Sequence, residues 1–165
     1  MNRLMIAAVA AASFVVLPLA AQTPTPAPPP APYGVGIGTE AAKKAIAAAE
    51  AEAKKNNWPV AIAIVDSAGQ LAAFSKIDNT QHASVDIAIG KAVTANNFKR
   101  PTKALQDAIA QGGANLRLLA VKGATPLEGG VPIIVDGKII GAIGASGVMA
   151  NQDAEVAMAG AAAAK

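Results

Sequence analysis

The only histidine of the chain, His82, is the side chain best suited to bind a metal ion or exchange a proton near neutral pH. It lies in a polar stretch ahead of a predicted helix. Because the chain has one histidine and no cysteine, multi-histidine metal sites, zinc–cysteine sites and thiol catalysis are excluded. His82 is therefore either a lone ligand or a solvated loop residue.

A second candidate is a group of basic residues at the end of the second predicted helix and the start of the third: Lys91, Lys99, Arg100 and Lys103. These cations could receive the carboxylates of a ligand, or they could simply be solvated helix-end residues. The acidic side chains are too dispersed to pair two of them as general acid and base. With a net charge of only +3 and three Phe, one Trp and one Tyr, the chain lacks the basic stripe and stacking residues of a nucleic-acid-binding protein.

Three glycines, Gly141, Gly144 and Gly147, recur at every third position within a β-branched run. They lack the following Lys-Ser/Thr of a phosphate-binding loop. Glycines in a strand mark places where something comes close to the backbone. We expect a helix, another subunit or a flat ligand to pack against them.

Local patterns predict the elements that must position these residues. The predicted order is α-β-β-α-α-β-β-α, an α+β fold with a central antiparallel sheet of four to five strands flanked by helices. Asp136-Gly137 between two β-branched runs is a strong hairpin signal. Thr39, Ser84, Thr102 and Asn151 are predicted helix N-caps. The predicted helices span 40–55, 84–97, 102–111 and 151–165, and the predicted strands span 60–65, 70–76, 129–135 and 138–147.

The N-terminus has the pattern of a secretory signal peptide. Arg3 supplies a positive charge, an apolar run extends from Leu4 to Leu17, and small residues lead to a predicted cleavage after Ala21. The predicted organisation is a signal peptide over 1–21, a proline-rich spacer over 22–35 and one domain over 36–165. We therefore expect a periplasmic or secreted protein without a stable membrane span after cleavage.

Several motifs of the domain, in this order, resemble the GlcG/HbpS family, which includes the C-terminal domain of PduO proteins. The resemblance extends from about Gly36 to Lys165. It rests on residues 65–71, 84–95, 129–137 and 141–147, followed by Gln152-Asp153 and Ala159-Gly160.

The resemblance implies an antiparallel α/β domain, homo-oligomers up to octamers, and binding of haem or a related tetrapyrrole. Exported members resemble extracellular haem-binding partners of a sensor system. It also implies that the segment from Lys91 to Thr94, and Thr102, line the ligand region. At the loop that contains His82, the family commonly has small or apolar residues, so His82 departs from the family pattern. It is either a haem-iron ligand particular to this chain or a residue without a role. The candidate cofactor-binding residues are His82, Lys91, Thr94, Arg100 and Thr102.

Three hypotheses follow. The first is an exported haem-binding, haem-sequestering or haem-sensing accessory protein. The second is a small-metabolite enzyme or an accessory factor of a catabolic pathway, which would require Lys91, Asp86 or Asp153 to converge in a closed cleft. The third is an oligomeric protein-interaction module, which a large apolar face without a pocket would favour. The poverty of nucleophiles and bases favours binding over catalysis.

Overall fold

The computed structural model describes residues 28–165, and it confirms the predicted order of elements in an α+β fold. The predicted signal peptide and the first part of the spacer lie outside the described residues. None of the helices within 28–165 is long and apolar enough to cross a membrane. The elements are α1 (Thr39–Lys55), β1 (Ala61–Asp66), β2 (Leu71–Lys76), α2 (Ser84–Phe98), α3 (Thr102–Ala110), a 3₁₀ helix (Gly113–Ala120), β3 (Gly130–Val135), β4 (Lys138–Ser146) and α4 (Ala150–Ala163).

The four strands form one antiparallel sheet in the order β2-β1-β4-β3. Each hairpin contributes two neighbouring strands, and the hairpins join where β1 pairs with β4, with Ile64 opposite Ile143. The two central strands are therefore buried on both faces. This explains why β1 is an almost continuous apolar run rather than an alternating one.

Helices cover both faces of the sheet. Isoleucines of the central strands, such as Ile62 and Ile64, pack against the alanines of α1 and the apolar side of α4. On the opposite face, the small side chains Ala61 and Ala63 pack against Ala88 and Ala92 of α2. Small residues on both surfaces let α2 lie close to the sheet.

The glycine triplet is explained by this close packing. A Cβ atom on Gly144 would overlap the carbonyl oxygen of Ala88 in α2, and one on Gly141 would overlap the carbonyl oxygen of Val65. A Cβ on Gly147 would overlap the carbonyl oxygen of Pro59. The backbone of this chain thus occupies the space beside all three glycines.

The predicted N-cap side chains do not cap their helices. The N-cap positions are occupied by Gly38, Ala83, Pro101 and Met149, and none of the predicted caps makes a side-chain capping bond. Two of the hydroxyls turn into the fold instead. The Ser84 hydroxyl lies 3.3 Å from that of Ser146, and Thr102 bonds to the backbone of β3.

Residues 32–37, which we call the N-terminal strap, lie along β4. The amide of Ile139 donates to the carbonyl oxygen of Pro32 (2.8 Å), and the amide of Gly34 donates to that of Ile139 (2.8 Å). The amide of Ile37 donates to the carbonyl oxygen of Ile140 (2.7 Å). The last residues assigned to the spacer are therefore hydrogen-bonded to the domain.

Candidate functional site

A buried ion pair lies between α2 and α4. The Nζ of Lys91 donates to Oδ2 of Asp153 (2.7 Å) and to the carbonyl oxygen of Ala145 in β4 (2.9 Å). The two side chains are only 3% and 4% exposed. Lys91 lies on the inward-facing side of α2, because its neighbours Ala88 and Ala92 on this helix pack against the sheet. Its side chain is consequently directed into the protein.

Desolvation controls the electrostatics of this pair. Burial raises the pKa of Asp153 above that of an exposed aspartate, and the Lys91 ammonium and the amides of Val148 and Gly147 oppose that rise. The Val148 amide donates to the second carboxylate oxygen, Oδ1, at 3.2 Å. A buried charge is tolerated when it is paired and hydrogen-bonded. Both partners here meet that condition.

Two threonines bind the loop before β3 and the first residue of that strand. Oγ1 of Thr94 accepts from the amide of Thr125 (2.7 Å), and Oγ1 of Thr102 accepts from the amide of Gly130 (2.9 Å). A Cβ on Gly130 would overlap the carbonyl oxygen of Lys91, so the start of β3 lies directly on α2. We call Lys91, Thr94, Thr102 and Asp153 the buried cluster. The fold itself uses the functional groups of all four.

An apolar pocket of about 270 Å³ adjoins the buried cluster. Its only charged lining residues are Lys103 and Glu128. Lys103 is bonded to Asp107 (2.8 Å), which raises the pKa of Lys103. The pocket is lined by Pro101, Lys103, Glu128, Gly129, Gly130, Val131, Ala154 and Met158.

This arrangement does not form the cleft that the enzyme hypothesis requires. Lys91 and Asp153 do converge, but neither lines the adjoining pocket. Asp86 is exposed in the first turn of α2 and takes no part in the pair. Both side chains of the pair are almost fully buried, at 3% and 4% exposure.

A larger cavity of about 530 Å³ lies at the turn between α2 and α3. Its lining combines an apolar surface with two adjacent cations, and we call it the basic cavity. Arg100 is exposed, and its Nε donates to the carbonyl oxygen of Phe98 (3.0 Å). Within residues 28–165, neither Lys99 nor Arg100 forms an ion pair. The cavity is lined by Pro28, Pro29, Pro30, Lys99, Arg100 and Ala104.

The Lys99 side chain is placed by the N-terminal strap. Its Nζ lies 4.2 Å from the centre of the Tyr33 ring, a cation–π geometry. The Tyr33 hydroxyl donates to the carbonyl oxygen of Asn96 (2.9 Å) in the last turn of α2. Lys99 itself ends α2 in a left-handed conformation, with φ of 54°.

His82 lies apart from the other candidate residues. It is exposed in the turn before α2, whereas Arg100 follows the other end of this 15-residue helix, about 22 Å away along its axis. Among residues 28–165, no group of three or more histidines or carboxylates could hold a metal ion. The fold brings Lys91 and Thr102 together around Gly130, but it leaves His82 at one end of α2 and Arg100 at the other.

Sequence reasoning missed two parts of this region. Tyr33 falls within the predicted spacer, although a lone tyrosine directly after a proline-rich run can indicate a contact with the domain. The pairing of Lys91 with Asp153 joins residues 62 positions apart. No local pattern links residues at that separation.

This sheet, with α2 on one face and α1 and α4 on the other, defines a small α+β domain with a four-stranded antiparallel sheet. Residues 37–162 match the family described as haem degrading protein HbpS-like. The chain belongs to this family, which confirms the resemblance inferred from the motifs.

Relatives and solved structures agree with this assignment. Protein GlcG of Escherichia coli strain K12 is 42% identical over 93 residues, which are 56% of this chain and 68% of GlcG. Klebsiella pneumoniae ORFY superposes with a TM-score of 0.76 at 28% identity, covering 79% of this chain and 92% of ORFY. A complex of PduOC with haem gives 0.72 at 28% identity, covering 78% and 95%. A double mutant of Streptomyces reticuli HbpS gives 0.72 at 32% identity, covering 84% and 97%.

Proposed function

We propose that this domain binds haem. The observation that carries the proposal is the similarity to PduOC, which was solved as a complex with haem and is covered over 95% of its length. Membership of the HbpS-like family supports it. Iron in haem needs only an axial ligand from the protein, so the absence of a multi-residue metal cluster within residues 28–165 is compatible with it.

The basic cavity has the chemistry that the haem ring and its propionates require. Haem is a flat apolar ring that carries two propionate carboxylates, and this cavity presents proline surfaces beside Lys99 and Arg100. Its volume of about 530 Å³ lies within the usual range of ligand sites. A cavity of about 370 Å³ beside Trp58 is a poorer match, because Asp78 lines it and its one cation, Lys54, is paired with Glu50.

The proposal extends to location and assembly. Residues 1–21 would direct export, so that the domain sequesters or senses haem outside the cytoplasmic membrane, as an accessory to a sensor partner. The chain would form homo-oligomers, up to octamers. Because His82 and Arg100 flank opposite ends of α2, assembly is also the way in which His82 of one copy would reach a haem held in the basic cavity of another.

A hemin titration of the chain lacking residues 1–21 tests the proposal. We expect a Soret band that saturates at a fixed ratio of hemin to protein, and light scattering should give the mass of an oligomer. An absorbance spectrum equal to that of free hemin at every ratio would refute haem binding. A monomeric mass with normal haem binding would refute only the proposed assembly.

Replacing His82 tests its role as an axial ligand. We expect His82→Ala to shift the Soret maximum, because a change of axial ligand alters the electronic state of the iron. Gln81→Ala is the matched control, since Gln81 is the exposed neighbour in the same turn and carries no group that ligates iron well. Identical spectra for both variants and the wild type would exclude His82 as the ligand.

A further inference from the structure

We infer that the segment before the domain is a working part of the ligand site: Pro28–Pro30 form one wall of the basic cavity, and Tyr33 positions Lys99 for a ligand carboxylate. This inference rests on the proposed binding of haem, and it deepens that proposal by assigning the propionates to Lys99 and Arg100. Tyr33 acts here as a positioning residue.

The wall is held in place by the backbone of the strap. Hydrogen bonds join Pro32 and Gly34 to Ile139 on β4, where β1 no longer pairs with that strand. They fix the point from which Pro28–Pro30 reach the α2–α3 turn. Proline restricts the backbone, so little conformational freedom remains to be lost when a ligand packs against this segment.

Tyr33 fixes the direction of Lys99 through two contacts. Its hydroxyl bond to Asn96 holds the ring against the end of α2, and the ring then lies beneath the Lys99 ammonium. Lys99 has a positive φ, a conformation that surrounding contacts must maintain in a residue other than glycine. The strap supplies one of those contacts.

The neighbouring Arg100 completes the carboxylate site. Its Nε is occupied by the carbonyl oxygen of Phe98, and this bond orients the guanidinium. The terminal NH₂ groups remain to bind a carboxylate with two parallel hydrogen bonds. By contrast, Lys91 is buried in its ion pair and Lys103 is bonded to Asp107. Of the four basic residues, two cations therefore remain for a ligand.

The experiment compares hemin with its dimethyl ester, which keeps the ring and iron but lacks both carboxylates. Both ligands are titrated in the same detergent against the wild type, Tyr33→Ala, Tyr33→Phe and Arg100→Gln. We expect hemin to bind the wild type about tenfold or more tightly than the ester, because charge-assisted hydrogen bonds are lost with the carboxylates. Arg100→Gln should remove most of this preference, and Tyr33→Ala should reduce it about threefold to tenfold. Tyr33→Phe keeps the ring and should stay closer to the wild type.

Two deletions test the wall. Removal of residues 22–31 eliminates Pro28–Pro30 but leaves Pro32, whose carbonyl bonds to β4, and it should weaken the binding of both hemin and the ester. The matched control, removal of residues 22–27, leaves the wall intact and should bind as the wild type does. Thermal unfolding of each variant checks that it is folded.

The outcomes separate this inference from the proposed function. If the wild type binds neither ligand, haem binding itself fails. If the wild type binds hemin and ester equally well, and Tyr33→Ala and the longer deletion leave both affinities unchanged, the inference is overturned while haem binding stands. A purely structural role of Tyr33 would lower the unfolding temperature without changing the ratio of the two affinities, and that result also overturns it.

Discussion

The buried cluster and the basic cavity lie on neighbouring parts of the α2–α3 region, yet their cations are used in opposite ways. Lys91 is 3% exposed and pairs with Asp153 and a backbone carbonyl. Arg100, nine positions later, is exposed, and its side chain donates to the carbonyl oxygen of Phe98. The basic side chain that follows the end of α2 is therefore available to a ligand. The basic side chain on the face of α2 that packs on the sheet is instead used to stabilise the fold.

The largest effect expected from this contrast is on stability at Lys91. Lys91→Ala leaves the Asp153 carboxylate buried without its cation, which we expect to lower the free energy of unfolding by about 3–5 kcal/mol. Urea unfolding measures this change. Hemin affinity, measured on the folded variant, should remain close to that of the wild type, because Lys91 does not line the basic cavity.

The double variant Lys91→Met with Asp153→Leu is the matched control for that prediction. It removes both charges and retains apolar volume, so much of the lost stability should return. Loss of hemin binding in this stable double variant would break the distinction between the two regions, because the buried cluster would then contribute to the ligand site.

A smaller effect is expected at Thr102, which joins α3 to the start of β3. Thr102→Val removes the oxygen that accepts from the buried Gly130 amide, and an unsatisfied buried donor costs about 1–3 kcal/mol. Thr102→Ser keeps the hydroxyl and should lose less stability, as followed by urea unfolding. If Thr102→Val instead unfolds like the wild type but binds hemin poorly, Thr102 is a ligand contact, as the family resemblance implies.

Local sequence patterns were sufficient to predict most of the fold. The Asp136-Gly137 turn and the alanine-rich helices are short-range features, so the two hairpins and four helices could be placed before the sheet was known. The capping predictions at Ser84 and Thr102 were wrong because these hydroxyls bond to Ser146 and Gly130, which are distant in sequence. A hydroxyl at a helix start has no local signal that distinguishes these uses.

The candidate site was predicted less completely, for the same physical reason. Family motifs pointed to Lys91, Thr94 and Thr102, and these residues do lie beside the same loop. The motifs could not show that their polar atoms are consumed by the fold. Lys99 of the basic cavity lies over the ring of Tyr33, whose partner Asn96 is 63 positions away. Such contacts arise only when strap, sheet and helix are assembled.

The smallest effect is expected at an ion pair on α1. Solvent screens the charges of this pair, whereas the charges of the buried cluster are shielded from solvent. The bonds from Lys54 and then from the Ser75 hydroxyl hold the pKa of Glu50 below its usual value of 4.5. A carboxyl with a lowered pKa in the folded state stabilises that state above its ordinary pKa, and the contribution disappears as the pH falls through the folded value. Glu50→Gln should therefore cost about 0.2–1 kcal/mol at pH 7, and the deficit should shrink as the pH is lowered below 4.5.

The matched control Glu40→Gln, at a glutamate whose side chain is 82% exposed, should have a still smaller effect at either pH. A loss of unfolding free energy in Glu50→Gln as large as that in Lys91→Ala, or one independent of pH, would contradict this prediction. It would show that solvent exposure does not determine which charge pairs of this fold are weak and which is strong.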